Sequence, residues 1–127
     1  MKAAVLTQYD KNGRKLEIRE VEKPSPRENE VLVKIFTAAV NPLDNMIIRG
    51  EVKLIVPYSL PLIMGNEFAG QVEAVGSAVK HFEAGDRVYG RMPLSKIGAF
   101  AEYAAVEEGA WLLFRITFPM MRRQPCL

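Results

Sequence analysis

The chain has 127 residues, 49% hydrophobic and 25% charged, with a formal net charge of +2. That length suits one domain, and that balance is globular rather than disordered. Acids are interspersed with the bases as far as Arg122-Arg123, which excludes the clustered basic footprint of a nucleic-acid binder, and no apolar run approaches the roughly 20 residues that span a bilayer. The single cysteine, Cys126, cannot close an internal disulfide, and the opening MKAAVLTQYD turns polar too early for a signal peptide. A cytoplasmic protein with no membrane partner is therefore expected.

Residues 2–7 are a short apolar run expected to form a strand, and Asn12-Gly13 supplies strong hairpin chemistry. Residues 16–21 alternate at period two and predict a half-buried strand. Pro24 and Pro26 interrupt the ladder, since proline has no N–H to give. Val31, Val33 and Ile35 resume the alternation, and the apolar run to Val40 predicts burial throughout. At Asn41-Pro42 the period changes. Asparagine suits an N-cap and proline the first helical position, so Leu43, Met46 and Ile47 should share one face of a short helix ending at Gly50. Strands follow at 68–76, 86–90 and 100–106, with Gly70 and Gly76 marking close backbone approach and His81 in an exposed turn. The expected fold is mainly β, a partly open barrel with one or two short helices.

Residues 65–90, GNEFAGQVEAVGSAVKHFEAGDRVYG, resemble the signature of the medium-chain dehydrogenase/reductase superfamily. AAVNPLDNMIIRG at 38–50 resembles its zinc-free, quinone-oxidoreductase-like branch, and the start of the chain and the strand at 26–34 also match. The likeness covers roughly residues 1–109. It implies a GroES-like barrel followed by a dinucleotide-binding domain, with NADPH and a carbonyl or quinone substrate between them.

A catalytic zinc needs about three protein ligands. In the zinc branch a cysteine stands near the position of Asn41 and a histidine at that of Asn66, so the resemblance implies a site without metal. By the same resemblance Asn41 and Asp44 line the cleft near the nicotinamide, and Asn66 and Glu67 sit at the emptied metal position. Structural readings stand beside these: Asn41 as a helix cap and Asp44 as a first-turn acid favoured by the helix dipole. Asn45-Met46 replaces the tyrosine that many relatives carry there. Tyr58 and Tyr89 are read as packed aromatics.

After Gly109 the likeness fails, and residues 110–127 are expected to be a tail foreign to the family. Codons can be chosen for 111–127 that, regrouped one base earlier, spell Ala-Ser-Ile-Pro-Asp-Tyr-Leu-Ser-Asp-Asp-Glu-Ala-Ala-Thr-Met-Pro. That order and spacing resemble the family's continuation, and Met120-Met121 forces an aspartate in that frame. The expectation is a shifted reading frame, no cofactor domain, no bound NADPH and no turnover by this chain alone. Residues 113–118 have strand character and should add to a sheet edge. Either the aromatic tail or another copy of the chain should cover the apolar face the cofactor domain would meet. Two other readings stay open: a stand-alone GroES-like binding or oligomerisation module, and a zinc-type alcohol dehydrogenase relative.

Overall fold

The computed structural model describes residues 1–10, 16–56, 58–93, 96–109 and 113–116. Asn12-Gly13 and Cys126 lie outside these residues, as does the part of the tail beyond 116. The described residues form eight strands and one helix: β1 Lys2–Leu6, β2 Glu17–Glu20, β3 Glu30–Ala39, α1 Pro42–Ile48, β4 Leu62–Ile63, β5 Glu67–Val75, β6 Arg87–Arg91, β7 Tyr103–Glu107 and β8 Leu113–Arg115. They build a three-stranded sheet ordered β2-β1-β4 and a five-stranded sheet ordered β7-β3-β5-β6-β8, antiparallel throughout. This is the mainly β, partly open barrel that the alternating short runs predict, in keeping with the GroES-like barrel that the resemblance implies.

The sheets meet where β1 runs beside the segment before β7. Ala3 bridges Ala101, the Ala4 N–H donates to the Phe100 carbonyl at 2.8 Å, and the Phe100 N–H donates to that of Met64 at 2.7 Å. Two apolar clusters result. One lies against the five-stranded sheet around Val31, Val33, Val72 and Val88; the other joins β1, α1 and β4 through Leu6, Ile47, Ile48 and Met64. Each such fully buried side chain is worth about 1.5–3 kcal/mol against leaving it in water.

Gly70 and Gly76 answer to close approach. A Cβ at Gly70 would stand 2.1 Å from the Lys34 carbonyl oxygen, and one at Gly76 2.0 Å from that of Arg27. Gly70 faces a β-bulge: Ile35 pairs with Gly70 and Thr37 with Ala69, leaving Phe36 without a partner.

Three expectations are corrected. β2 is exposed along its whole length, Ile18 at 71%, because it is an edge strand that pairs with β1 alone. The second half of β3 is not buried: Phe36 at the bulge is exposed, as is Val40 just after the strand, where no described element covers them. On α1, Ile48 rather than Met46 joins Ile47 in the core, with Leu43 packed at its border. The helix ends as expected, with Gly50 at φ +78°.

Candidate functional site

Register places the site. Ala39 of β3 lies opposite Glu67 of β5, which lies opposite Arg91 of β6. One step along, Thr37, Ala69, Tyr89 and Phe114 form a second row reaching β8. Side chains two residues apart on a strand share a face, so both rows stand on the outer face of the five-stranded sheet. Small residues on β3 and β5 make a floor, and bulky ones on β6 and β8 make a wall. The result is a groove of about 500 Å³, open to solvent. The rings of Tyr89 and Phe114 stack with centroids 5.3 Å apart and an interplanar angle of 26°. Tyr89 is thus a groove wall, 48% exposed, and not the packed aromatic that the sequence predicts; Tyr58 does border the second core cluster.

The polar end of the groove is a connected set. Arg91 grips the Glu67 Oε1 with two donors, Nε at 3.0 Å and Nη2. The Arg91 hydrogen bond first, then one from the Asn41 side chain, hold the Glu67 carboxyl below the usual carboxylate range. Asn41 is the N-cap of α1. Its backbone N–H donates to Asp44 Oδ2 at 2.8 Å, and the Asp44 N–H donates to the Asn41 carbonyl at 2.9 Å. Asp44 is 1% exposed, and its Oδ1 has no partner among the described residues. Burial pushes its carboxyl upward, the Asn41 bond opposes this, and the nearby Glu67 charge adds to the rise.

Of the four site residues expected from sequence, Asn41, Asp44 and Glu67 come together. Asn66 is 3% exposed and turned to a structural tie, its Nδ2 donating to the Met92 carbonyl at 2.6 Å while the Met92 N–H donates back to the Asn66 carbonyl at 2.7 Å. Arg91, Phe114 and the exposed role of Tyr89 escape sequence reading, because only cross-strand register brings 91 to 67 and 114 to 89. No group of three or more His, Cys, Asp or Glu among the described residues is arranged to hold a metal ion. His81 is exposed, as its turn predicts.

An antiparallel partial barrel of two sheets, with one short capped helix beside an open groove, is a GroES-like architecture. The chain belongs to the alcohol dehydrogenase GroES-like domain family, whose description matches residues 27–116 and so extends through β8. It is 40% identical over 89 residues to a chloroplastic quinone-oxidoreductase homolog of Spinacia oleracea, covering 70% of this chain and 27% of that protein. It is 34% identical over 111 residues to the mitochondrial NAD(P)H oxidoreductase RTN4IP1 of Dictyostelium discoideum, covering 85% and 32%. Among solved structures, the Escherichia coli quinone oxidoreductase in complex with NADPH superposes with a TM-score of 0.78 at 29% identity, over 92% of this chain and 33% of that one. The chain therefore spans about a third, or less, of the length of these relatives.

Proposed function

We propose that this chain forms the substrate-side part of an NAD(P)H-dependent reductase that uses no zinc and delivers hydride to a quinone or an α,β-unsaturated carbonyl. Asn41, Asp44, Asn66 and Glu67 stand on the acceptor side of its cleft. The observation that carries the reading is the capped pair Asn41 and Asp44 standing beside Glu67, whose charge Asp44 feels, at the edge of an open groove, in a chain similar to quinone oxidoreductases. Zinc independence is supported by donor chemistry: the Asn66 amide is a poor ligand, and it is committed to the Met92 carbonyl.

The described residues do not fit the cofactor's pyrophosphate. Such groups are held by backbone N–H donors at a helix N-terminus after a glycine-rich turn. Here α1 has seven residues, follows Asn41-Pro42, and turns the Asp44 carboxylate to its own first turn, where a phosphate would be repelled. The nicotinamide chemistry would be the cofactor's own; these residues would orient the acceptor. NADPH is accordingly not expected to bind this chain alone.

The test is a chimera joining residues 1–109 to the remaining two thirds of the spinach relative. Quinone-dependent NADPH oxidation, lost on Asn41→Ala, is expected; a folded chimera without it refutes the reading. The 127-residue chain by itself should consume no NADPH and carry no stoichiometric zinc, and either result to the contrary removes the corresponding clause. The exposed Phe36, Val40, Leu54 and Ile55 support self-association, which light scattering measures. No helix of the described residues is long and apolar enough to cross a membrane. A cytoplasmic address is part of the proposal, and cell fractionation tests it against the chloroplast and mitochondrial addresses of relatives.

A further inference from the structure

We propose that the Arg91–Glu67 pair determines acceptor specificity: Arg91 offers a donor to a flat, uncharged ligand with an oxygen at its edge, and Glu67 turns away the same ligand bearing a negative charge. The inference rests on the reductase reading and sharpens what that site takes.

The shape of the groove selects a plane. Ala39, Thr37 and Ala69 leave a shallow floor, while Tyr89 and Phe114 stand as a stacked wall beside it. Aromatic faces favour offset contact with a second π-system, worth about 0.5–1.5 kcal/mol beyond the area covered. A thin, rigid ring system loses little conformational freedom on entering such a slot, whereas a flexible chain loses more.

Charge then selects among flat ligands. The Arg91 side chain is 57% exposed and Glu67, directly opposite, 28% exposed. Nε and Nη2 both point at Glu67 Oε1, so Nη1 keeps its donors free of any partner among the described residues. A guanidinium has five N–H donors in a fixed fork, and fixing one edge on a carboxylate fixes where the other points. The pair is neutral overall. An anionic ligand meets Glu67 as readily as Arg91 and gains little, whereas a carbonyl oxygen accepts from Nη1 without approaching a net charge. The other groove residues carry no charge.

The experiment titrates the isotope-labelled full chain with 2,3-dimethyl-1,4-naphthoquinone, whose blocked ring positions cannot add the Cys126 thiol, and with the same ring carrying a carboxylate. Amide shifts read by NMR should move at Ala69, Tyr89, Gly90 and Arg91, with the neutral compound binding at least tenfold tighter. Arg91→Met should weaken the neutral compound about tenfold. Glu67→Gln should raise affinity for the carboxylate without weakening the neutral ring. Ala69→Ile, which fills the floor while keeping a strand-compatible residue, should abolish both, so one unfolded variant does not decide the matter. Shifts at Asn41 and Asn66 that spare Tyr89 and Arg91 would overturn the Arg91 assignment and leave the reductase reading standing. Equal binding of the two compounds, or an Arg91→Met chain that binds normally, also overturns it. The absence of any shift at millimolar ligand overturns both.

Discussion

Asp44 and Asn41 hold each other by a reciprocal pair of hydrogen bonds across the first turn of α1, at 2.8 and 2.9 Å, and leave one oxygen of the buried aspartate with no partner. Burial raises the carboxyl's pKa in the folded chain. The native state then binds its proton more tightly than the unfolded chain does. This carboxyl's contribution to stability therefore falls as pH rises above its unfolded value of about 3.9, until the folded pKa is passed. Asp44→Asn lacks that slope and keeps an acceptor for Asn41, so it should be no less stable than the parent at pH 7 and lose any advantage near pH 4. Asp44→Ala loses the acceptor and should cost about 1–2 kcal/mol. Urea titrations at two pH values check both, and a loss for Asp44→Asn equal to that of Asp44→Ala at pH 7 would count against this account.

Glu30 presents the opposite case. Its buried carboxylate accepts from the Arg27 N–H at 2.9 Å and from Lys96 Nζ at 2.7 Å. Burial pushes its pKa up, but the Lys96 and Arg27 bonds outweigh it and hold the group below the usual carboxylate range. A depressed folded pKa contributes stability that is present above the unfolded value of about 4.3 and is lost as pH falls through the folded one. Glu30→Gln should flatten the acid limb of the stability curve. Lys96→Met should cost about 1–2 kcal/mol at pH 7, limited by water reaching the exposed lysine end of the pair.

Gly70 has no room for a methyl group, since a Cβ would press on the backbone carbonyl of Lys34 rather than on a yielding side chain. Gly70→Ala should shift β3 at its bulge and cost more than about 3 kcal/mol. Gly109→Ala, with no atom of the described residues within 4 Å, should stay within about 0.5 kcal/mol. Equal midpoints in urea for the two variants would contradict the close approach.

β8 is held by packing and by Arg115. Leu113 is buried in the first cluster, Phe114 stacks on Tyr89, and Arg115 reaches Asp86 Oδ2 with Nε at 3.1 Å and the His81 carbonyl with Nη2. Leu113→Ala should cost about 2–3 kcal/mol through lost burial and a residual cavity. Phe114→Ala, removing a half-exposed ring, should cost about 0.5 kcal/mol. Arg115→Ala should speed hydrogen exchange at the paired β6 amides more than elsewhere. Unchanged exchange at Tyr89, whose backbone faces Phe114 of β8, would show that β8 is held without it.

The apolar spacing of β1, β5 and β6 and the Asn41-Pro42 helix start are written locally, so sequence finds them; such signals need only neighbours within a few residues. The outward half of β3 misleads for the same reason. An apolar run predicts burial, but Phe36 and Val40 are exposed because no described element lies over them. Among site residues, Asn41 and Asp44 are legible as a cap and a first-turn acid three positions apart. Asn66 is legible only as a departure from a zinc ligand, and its bond to Met92 is visible only in three dimensions.

By itself the sequence determined the class of fold, the place of the single helix and the identity of the residues that cap it, because periodicity and capping act over one or two turns of chain. The tertiary structure decided that Glu67 faces Arg91, that Tyr89 faces Phe114 and that small residues lie between them as a groove. Pairings between residues 24 or 25 positions apart depend on strand register. A shift of one residue turns every side chain of a strand to the opposite face. The apolar alternation of β5 says which face is buried, but which residues of β6 and β8 then stand opposite one another is decided only when the strands pair.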